Sequence, residues 1–262
     1  MSADEDATSR IERLIGPEGV EALAAATVMV IGIGGVGSNC AEALARGGVG
    51  HFILVDHDVV EPSNLNRQAV AWQHSLGQKK TEVMRDMIAD INPAATVEAV
   101  DAFVLEENVD AIVSDYALRA DYVVDAIDTV STKLALAQAA QEHGFWLVSA
   151  MGGGNKLHPE LLRFADINDT FNCRMSRIMR KECRKRGIRR LRVLFSTEEA
   201  RAATTPEGQE RGQRGGLGTM PYFPPIMGQM IAGEVIRTIV GLEGQPPRAP
   251  SRESVKPLSP PE

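Results

Sequence analysis

The sequence predicts an α/β fold with a Rossmann-like, mostly parallel sheet that carries helices on both faces. Short β-rich runs alternate with helix-like runs through the first half of the chain, which is the pattern of a parallel sheet. A glycine-rich turn follows the first β-rich run and opens a helix. The 262 residues are enough for one large domain with a sizeable core.

Five strands and three connecting helices account for the first half. The predicted strands are Thr27–Ile31, His51–Asp56, Val97–Val104, Tyr122–Asp128 and Trp146–Ala150. The predicted helices are Ser38–Arg46, Lys79–Asn92 and Lys133–His143. Glycines end the first helix and Pro93 ends the second, because neither residue type favours continuation of a helix.

The second half predicts one more helix and several irregular segments. Pro225 opens an amphipathic helix over Ile226–Val240. Its predicted buried stripe is Ile226, Met230, Ile231, Ile236 and Val240. We expect a flexible segment at 1–9, a single domain at 10–242 with a basic and mobile insert at 155–220, and a proline-rich disordered tail at 243–262. Within the insert, Thr204–Gly218 is polar and glycine-rich, which predicts a mobile loop.

Composition excludes several classes of protein. Hydrophobic residues make up 44% and charged residues 24%, which are globular values, and the net charge of −7 excludes a protein that is basic throughout. No apolar run approaches the roughly 20 residues of a membrane-spanning helix, and the amino terminus is acidic. The three cysteines lack paired C-x-x-C spacing, so we expect no disulfide framework or zinc knuckle, and a cytoplasmic protein without a membrane partner.

The glycine turn predicts a nucleotide site. Gly32, Gly34 and Gly37 form a G-x-G-x-x-G frame between a strand and a helix, where free backbone N–H groups favour a phosphate. Asp56 ends the second strand, 19 residues after Gly37, where a carboxylate can bind ribose hydroxyls. These residues alone suit NAD, FAD or ATP about equally.

Charged residues behind the turn favour ATP. Arg67 and Lys80 are two cations able to reach a triphosphate, and displacement at a phosphate needs such cations because negative charge builds on its oxygens. Asp58 and Asp128 could together hold Mg²⁺, which prefers one or two carboxylates plus phosphate oxygens. Taken singly, Arg67 also fits a surface ion pair, Lys80 a solvated first helical turn, and Asp128 a helix N-cap.

The segments GIGGVGS, VDHDVVEPSNLNRQ, GQKK and VDAIDT resemble the E1-like adenylating superfamily over roughly residues 10–155. That superfamily activates ubiquitin-like and sulfur-carrier proteins, and the resemblance implies an E1-like adenylation fold with a C-terminal extension. It implies an ATP site in which Asp56 binds ribose, Asp58 and Asp128 serve Mg²⁺, and Arg67 and Lys80 stabilise phosphate charge. The residues it implies for phosphate binding are Gly32, Gly34, Gly35, Gly37, Ser38 and Asn64.

The resemblance also implies a homodimer. Arg13, in the opening RIERLIG, matches an arginine that in this superfamily commonly reaches the active site of the neighbouring subunit. The alternative for Arg13 is an exposed helix charge.

A basic run predicts a nucleic-acid partner. Phe171–Val193 contains ten Arg or Lys residues and one Glu, in a chain that is otherwise acidic. This charge, between Arg174 and Arg192, predicts a phosphate-binding field, although charge runs are more commonly solvated surfaces.

Further segments resemble the tRNA threonylcarbamoyladenosine dehydratase branch of the superfamily: Arg10–Gly16, EALARGGVG, GQKKTEVM, INP, VVDAID and VLFSTE. The resemblance implies tRNA as the partner. It implies that ATP adenylates the threonylcarbamoyl carboxylate on a tRNA adenosine, after which a nitrogen of the same side chain closes a ring and expels AMP. An intramolecular nucleophile makes an enzymatic cysteine unnecessary, so we assign no catalytic role to Cys40, Cys173 or Cys183.

Three alternatives stay open at this point. The chain could activate a small sulfur-carrier protein, and a sulfur-transfer or carrier protein would then be its partner. It could be an NAD-dependent oxidoreductase or a nucleotide sensor, but both leave the cluster of cations and carboxylates without a role.

Overall fold

The computed structural model describes residues 6–201 and 217–242, and it contains one seven-stranded sheet. The strand order is β3-β2-β1-β4-β5-β7-β6, and every neighbouring pair is parallel except β6 and β7. The strands are β1 Thr27–Ile31, β2 His51–Asp56, β3 Thr96–Asp101, β4 Tyr122–Asp125, β5 Leu147–Ala150, β6 Leu162–Asp166 and β7 Arg192–Ser196. The predicted mostly parallel α/β fold is confirmed.

Helices cover both faces of the sheet. Their bounds are α1 Ser9–Ala25, α2 Gly37–Arg46, α3 Lys80–Ile91, α4 Val109–Asp115, α5 Val130–His143, α6 Arg174–Lys185 and α7 Phe223–Ile239. Gly16, at φ 73° and followed by Pro17, breaks α1 into two pieces. None of the helices in 6–201 and 217–242 is long and apolar enough to span a membrane.

Alternating side chains of the strands divide the core into two layers. Val28 and Val30 of β1 face a cluster formed with α1, α2, α3 and α7, whereas Met29 and Ile31 face a cluster formed with α4, α5 and α6. Because both faces of the central strands are buried, the strands consist of nearly continuous apolar runs. Because β1 pairs in parallel with both β2 and β4, the carboxyl ends of these three strands lie on one edge of the sheet.

The last helix differs from its prediction in start and in buried face. It begins at Phe223 instead of Ile226, with prolines in the first turn where no intrahelical N–H is required. Of the five predicted stripe residues only Ile231 is fully buried, and the other four are partly buried at the margin of the core. The buried apolar row is Phe223, Met227, Ile231 and Val235. The predicted stripe lies on a neighbouring face because the helix was predicted to start after Phe223 and because Met227 was not counted among its apolar positions.

The described part of the predicted insert at 155–220 belongs to the sheet. Residues 155–201 supply β6, α6 and β7, so they complete the sheet and do not protrude from it. Met179 and Cys183 of α6 are buried in the second core layer with Val193 of β7. The excess of arginine and lysine hid these apolar positions. Residues 1–5, the tail at 243–262 and all but the last two residues of the predicted loop Thr204–Gly218 lie outside the described residues.

The amino-terminal segment contains regular structure within the predicted flexible range 1–9. Helix α1 begins at Ser9, and Asp6 Oδ1 accepts hydrogen bonds from the backbone N–H groups of Thr8 and Ser9 at 2.9 and 2.8 Å. These contacts satisfy backbone donors at the start of the helix.

Candidate active site

A cavity of about 860 Å³ lies at the carboxyl ends of β1, β2 and β4. Strand order reverses between β1 and β4, and ligands of open α/β sheets bind in the crevice at this kind of switch point. Most of the predicted site residues line the cavity: Gly32, Gly34, Gly35, Asp56, Asp58, Asn64, Arg67, Lys80 and Asp128. The fold therefore brings together residues that are almost a hundred positions apart in sequence.

Two glycines of the turn are required by its geometry. Gly32 has φ +88°, in the left-handed region, and a Cβ there would lie 2.9 Å from the carbonyl oxygen of Ala126. A Cβ on Gly37 would lie 1.8 Å from the carbonyl oxygen of Gly32, so no larger residue fits there. The turn is thus closed on itself, with Gly34 and Gly35 facing the cavity.

Ser38, which was predicted to bind phosphate, does not line the cavity. Its side chain is fully buried, and its hydroxyl donates to the carbonyl oxygen of Gly34 at 2.6 Å and accepts from the Ala69 N–H at 3.0 Å. Its backbone N–H also donates to Gly34, at 3.0 Å. Neither donor is left for a phosphate. Ser38 and Gly37 therefore shape the glycine turn and do not line the cavity.

The Asp56 carboxylate ties the end of β2 to the glycine turn. Its Oδ2 accepts the Ile33 N–H at 2.6 Å and its Oδ1 accepts the Asp58 N–H at 2.8 Å. Two backbone donors hold the carboxylate in one orientation at the cavity wall. Each oxygen keeps a lone pair for a hydroxyl donor.

Lys80 and Asp58 form an ion pair at the cavity wall. Lys80 Nζ is 2.8 Å from Asp58 Oδ2, and the lysine side chain is 6% exposed whereas that of Asp58 is 51% exposed. Burial alone would raise the pKa of Asp58, but the hydrogen bond and the charge of Lys80 outweigh it and lower the pKa. Lys80 is therefore not the solvated helix residue of the alternative interpretation.

Arg67 lies against the glycine turn. A Cβ built on Gly35 would lie 3.3 Å from Arg67 Cγ. Arg67 Nη1 donates to the carbonyl oxygen of Ser63 at 3.0 Å and to Asn66 Oδ1 at 2.8 Å. The backbone here is held by Asn39, a residue that the sequence did not single out. Asn39 Nδ2 donates to the carbonyl oxygens of both Gly35 and Arg67, at 2.8 and 3.0 Å.

Asn64 is buried near Arg67, and its side chain is already engaged. Asn64 Oδ1 accepts the Glu61 N–H at 3.1 Å, and Nδ2 donates to Ser63 Oγ at 3.3 Å. The amide shapes the short helical turn that carries Arg67, and one N–H remains for a ligand.

Asp128 lies beyond the strand that was predicted to end at it. Strand β4 ends at Asp125, and Asp128 follows in an exposed turn, where its Oδ1 accepts the Thr129 hydroxyl at 3.3 Å. The strand ends early because residues 126–129 turn along the cavity before α5 begins. No cationic side chain among the described residues pairs with the Asp128 carboxylate, whose partner is the Thr129 hydroxyl.

The carboxylates at this edge suit a hard cation. Asp58 and Asp128 line the same cavity, and ligand atoms of Asp56, His57 and Asp58 lie within 4.8 Å of one another. Carboxylate oxygens are the ligands that Mg²⁺ prefers, so the residues present fit the predicted ion. Lys80 Nζ contacts Asp58 Oδ2, and His57 Nε2 lies 3.2 Å from Asp58 Oδ1.

The cavity also contains an aromatic wall that the sequence did not predict. Phe103 is 45% exposed, and its ring meets the ring of His57 edge-on at 4.0 Å between centroids. Both residues line the cavity next to Asp56. The only sequence signal was an isolated Phe after β3.

Arg13 is exposed on α1 and does not line the cavity of its own chain. The predicted homodimer therefore stays a prediction.

The basic segment Arg174–Arg192 separates into two kinds of cation. Four have partners: Arg180 with Thr170, Lys185 with Glu182, Arg186 with Glu106, and Arg192 with the buried Glu234. The others are exposed: Arg174, Arg177, Lys181, Arg184, Arg189 and Arg190. Among the described residues, no hydrogen-bonding or ion-pairing side chain contacts Arg174, Arg177 or Arg184.

The two ends of this segment lie at opposite edges of the sheet. The first end lies near the nucleotide cavity, because a Cβ built on Gly152 would be 3.8 Å from the Cβ of Met175. Gly152 precedes the cavity residues Gly153 and Gly154. Arg189 and Arg190 instead line a second cavity of about 500 Å³ at the amino ends of β5 and β7. The basic segment is therefore not one continuous surface. Its exposed cations on α6 form a stripe along the outer face of the helix: Arg174, Arg177, Lys181 and Arg184.

All three cysteines are buried and unpaired. Burial raises the pKa of the Cys40 thiol, and it raises the pKa of the Cys183 thiol to about 11. These two thiols stay protonated near neutral pH, and a protonated thiol is a poor nucleophile.

Comparisons with known proteins identify the family. A model described as the ThiF family matches residues 8–257. The tRNA threonylcarbamoyladenosine dehydratase of Bacillus subtilis is 37% identical over 241 residues, which cover 88% of this chain and 94% of that protein. Crystal structures of the Escherichia coli tRNA N6-threonylcarbamoyladenosine dehydratase are also similar. Its complex with AMP has 30% identity, a TM-score of 0.79 and coverage of 92% of this chain and 99% of that one.

The complex of the same E. coli protein with ATP has 29% identity and a TM-score of 0.78, and the match covers 92% of this chain and 98% of that one. The resemblance read from GIGGVGS and VDAIDT is confirmed, and the similarity extends through the second half, where the sequence motifs were weakest. The chain belongs to the ThiF family and has its E1-like adenylation fold.

Proposed function

We propose that the chain is an ATP-dependent adenylating enzyme that cyclises the threonylcarbamoyl group on a tRNA adenosine. The observation that carries the proposal is the cavity at the switch point, whose wall presents a glycine turn, two cations and several carboxylates together. The near full-length similarity to dehydratases of this name supports the same activity.

The first step joins the substrate to AMP. A carboxylate oxygen of the threonylcarbamoyl group attacks the α-phosphorus of ATP, the bond to the bridging oxygen breaks, and pyrophosphate leaves with the electron pair. Arg67 and Lys80, which line the cavity, stabilise the negative charge that develops on these oxygens. Asp56 orients the ribose, and the backbone of Gly34 and Gly35 admits the phosphates.

The second step needs no enzyme nucleophile. A nitrogen of the urea-type group attacks the adenylated carbonyl, the carbonyl–oxygen bond to AMP breaks, and the nitrogen loses its proton. The oxygen removed from the carboxylate leaves in AMP, so the tRNA loses one water overall. Holding the two groups of one side chain together provides a high effective molarity. The buried, protonated thiols of Cys40 and Cys183 agree with this scheme.

Asp58 and Asp128 would hold a magnesium ion. The ion would neutralise phosphate charge and make the α-phosphorus more electrophilic when bound. Lys80 keeps Asp58 ionised at the cavity wall.

The outer face of α6 is proposed to bind the tRNA backbone. Arg174, Arg177 and Arg184 are exposed cations without a partner among the described residues, and they repeat with the turns of the helix. Arg13 is proposed to complete the active site of a partner subunit in a homodimer, since it lies outside the cavity of its own chain.

The alternative is adenylation of a sulfur-carrier protein. The resemblance of the motifs to the E1-like superfamily also fits activators of this kind, but the chain has no paired C-x-x-C spacing.

A reaction with defined tRNA tests the proposal. Purified protein, ATP and Mg²⁺ are incubated with tRNA that carries threonylcarbamoyladenosine, and the nucleosides are then analysed by mass. We expect a product lighter by one water, with AMP and pyrophosphate released in equal amounts. Unchanged tRNA, together with adenylation of a carrier protein, would replace this function by the alternative.

A further inference from the structure

Three buried polar side chains lie beneath the nucleotide cavity and do not contact it. Asp125 ends β4, Ser149 is its register neighbour on β5, and Lys133 is the fourth residue of α5. All three are 0% exposed. The surrounding strand residues are apolar, so the cluster is an isolated polar group within the second core layer.

The three side chains satisfy one another. Lys133 Nζ is 3.0 Å from Asp125 Oδ2 and 3.1 Å from Ser149 Oγ, and the Ser149 hydroxyl donates to Asp125 Oδ2 at 2.6 Å. Removing two charges from water is costly, and apolar residues of similar volume stabilise a core as well as a buried ion pair does. The pair is therefore weak evidence for a purely stabilising role.

The cluster is connected directly to the cavity wall. Asp125 Oδ1 accepts the Ile127 N–H at 3.1 Å, and the Lys133 backbone N–H donates to the carbonyl oxygen of Thr129 at 3.1 Å. Residues 126–129 line the cavity, and Asp128 is one of them. The Asp125–Lys133 pair thus joins the residue before this exposed turn to the helix after it.

We propose that Lys133 and Asp125 are positioning residues that fix the 126–129 turn and thereby hold the Asp128 carboxylate where it can bind Mg²⁺ with ATP. The proposal rests on the proposed function, since it assigns Asp128 to the ion. At the start of the turn the Ala126 N–H donates to the carbonyl oxygen of Ile31 at 2.8 Å, but the only side-chain partner of Asp128 among the described residues is the neighbouring Thr129. Lys133 also neutralises the buried Asp125 carboxylate, which would otherwise repel the triphosphate.

Calorimetry on the full chain tests this proposal with ATP as the titrant. ATP affinity is measured with Mg²⁺ and with EDTA, and the ratio gives the magnesium-dependent gain in affinity. We expect Lys133→Met to lower the melting temperature, because it leaves a buried unpaired carboxylate, and to reduce the gain at least tenfold. The double variant Asp125→Asn/Lys133→Met removes both charges, so its melting temperature should return most of the way to the wild-type value. Its magnesium-dependent gain in ATP affinity should stay reduced.

Lys156→Met is the matched control. Lys156 is also a buried lysine, but its Nζ donates to the carbonyl oxygens of Ser196 and Glu198 and not to the 126–129 turn. It should lower the melting temperature and leave the magnesium-dependent gain at the wild-type value.

Two results would overturn the proposal or its basis, and they are distinguishable. A wild-type gain in the double variant would show that the pair only supports the fold. If Lys133→Met does not fold, the double variant and Ser149→Ala decide the matter by the same ratio. Wild-type protein that binds no ATP at all would instead contradict the proposed function, and this inference with it.

Discussion

The nucleotide cavity and the outer face of α6 both carry charged side chains, but they hold them differently. In the cavity, Lys80 is buried beside Asp58, and Asp56 accepts two backbone N–H groups. On α6, Arg174 and Arg177 are exposed and have no partner among the described residues. Fixed charges suit a transition state of defined shape, whereas solvated charges suit a polyanion bound through its backbone.

This difference predicts different consequences of mutation. A substitution in the cavity should reduce the rate of adenylation, because the fixed charge has no substitute. A substitution on the outer face of α6 should weaken tRNA binding and reduce its dependence on salt concentration, because each cation contributes its own contact to the phosphates.

The largest effect is expected for Asp128→Ala and Arg67→Ala. Each variant should lower ATP–pyrophosphate exchange by about 10² to 10³-fold, the range seen when one transition-state contact is removed. Circular dichroism and the melting temperature should stay near the wild-type values, since Asp128 is exposed and Arg67 is only partly buried. Asp90→Ala, at an exposed carboxylate of α3, is the control. Near-full turnover in both variants would refute the site assignment.

Mixing two inactive variants tests whether the sites are completed between subunits. Arg13→Ala and Asp128→Ala should each be inactive alone. In an equal mixture that exchanges subunits, about half of the dimers would be mixed, each with one intact site, which would restore about a quarter of wild-type activity. A mixture that stays inactive, or a monomer in light scattering, would place Arg13 outside the mechanism.

The α6 face should affect tRNA and not ATP. The variant Arg174→Gln/Arg177→Gln/Arg184→Gln removes three exposed cations. We expect tRNA affinity to fall at least tenfold at moderate salt, and the slope of log affinity against log salt to become shallower by about 2 to 3. Filter binding across a salt series measures both quantities, and ATP affinity should not change.

The matched control removes the same charge elsewhere. Arg46→Gln/Arg85→Gln/Arg119→Gln replaces three arginines that pair with acidic neighbours on other surfaces. An identical loss in both triple variants would mean that only net charge matters.

The smallest effect concerns the pH dependence of stability. The pKa of Asp58 is lowered in the folded chain, so its contribution is present above the unfolded value near 3.9 and is lost as pH falls through the folded value. Because Asp58 is about half exposed, Asp58→Asn should cost less than about 1 kcal/mol near neutral pH, and the difference should shrink as pH falls below about 4 and vanish below the folded pKa of Asp58. Urea unfolding at several pH values measures it; an equal difference at low pH would contradict the ion pair.

The two regions also differ in what their sequence could predict. The glycine turn has fixed spacing between a strand and a helix, so Gly32 and Gly34 could be placed at the cavity from sequence alone. Ser38 belongs to the same motif, but its hydroxyl is used within the turn, which spacing cannot reveal. The Asp125–Lys133 contact was missed because Lys133 was predicted only as the first residue of a helix, and helical periodicity does not show which strand a side chain meets.

In the second half, composition concealed structure. The excess of arginine suggested an insert, although Met179 and Cys183 form an apolar row on α6. Which cations have partners depends on Glu106 and Glu234, which are distant in sequence from the basic segment. Such long-range pairs cannot be read from local charge.

Exchange of labelled pyrophosphate into ATP tests the central claim most directly, because it requires cleavage between the α- and β-phosphates. With Mg²⁺ and tRNA that carries threonylcarbamoyladenosine, we expect rapid exchange that is absent with unmodified tRNA. Exchange that ignores the tRNA modification, or protein that binds a nicotinamide cofactor and no ATP, would contradict the account.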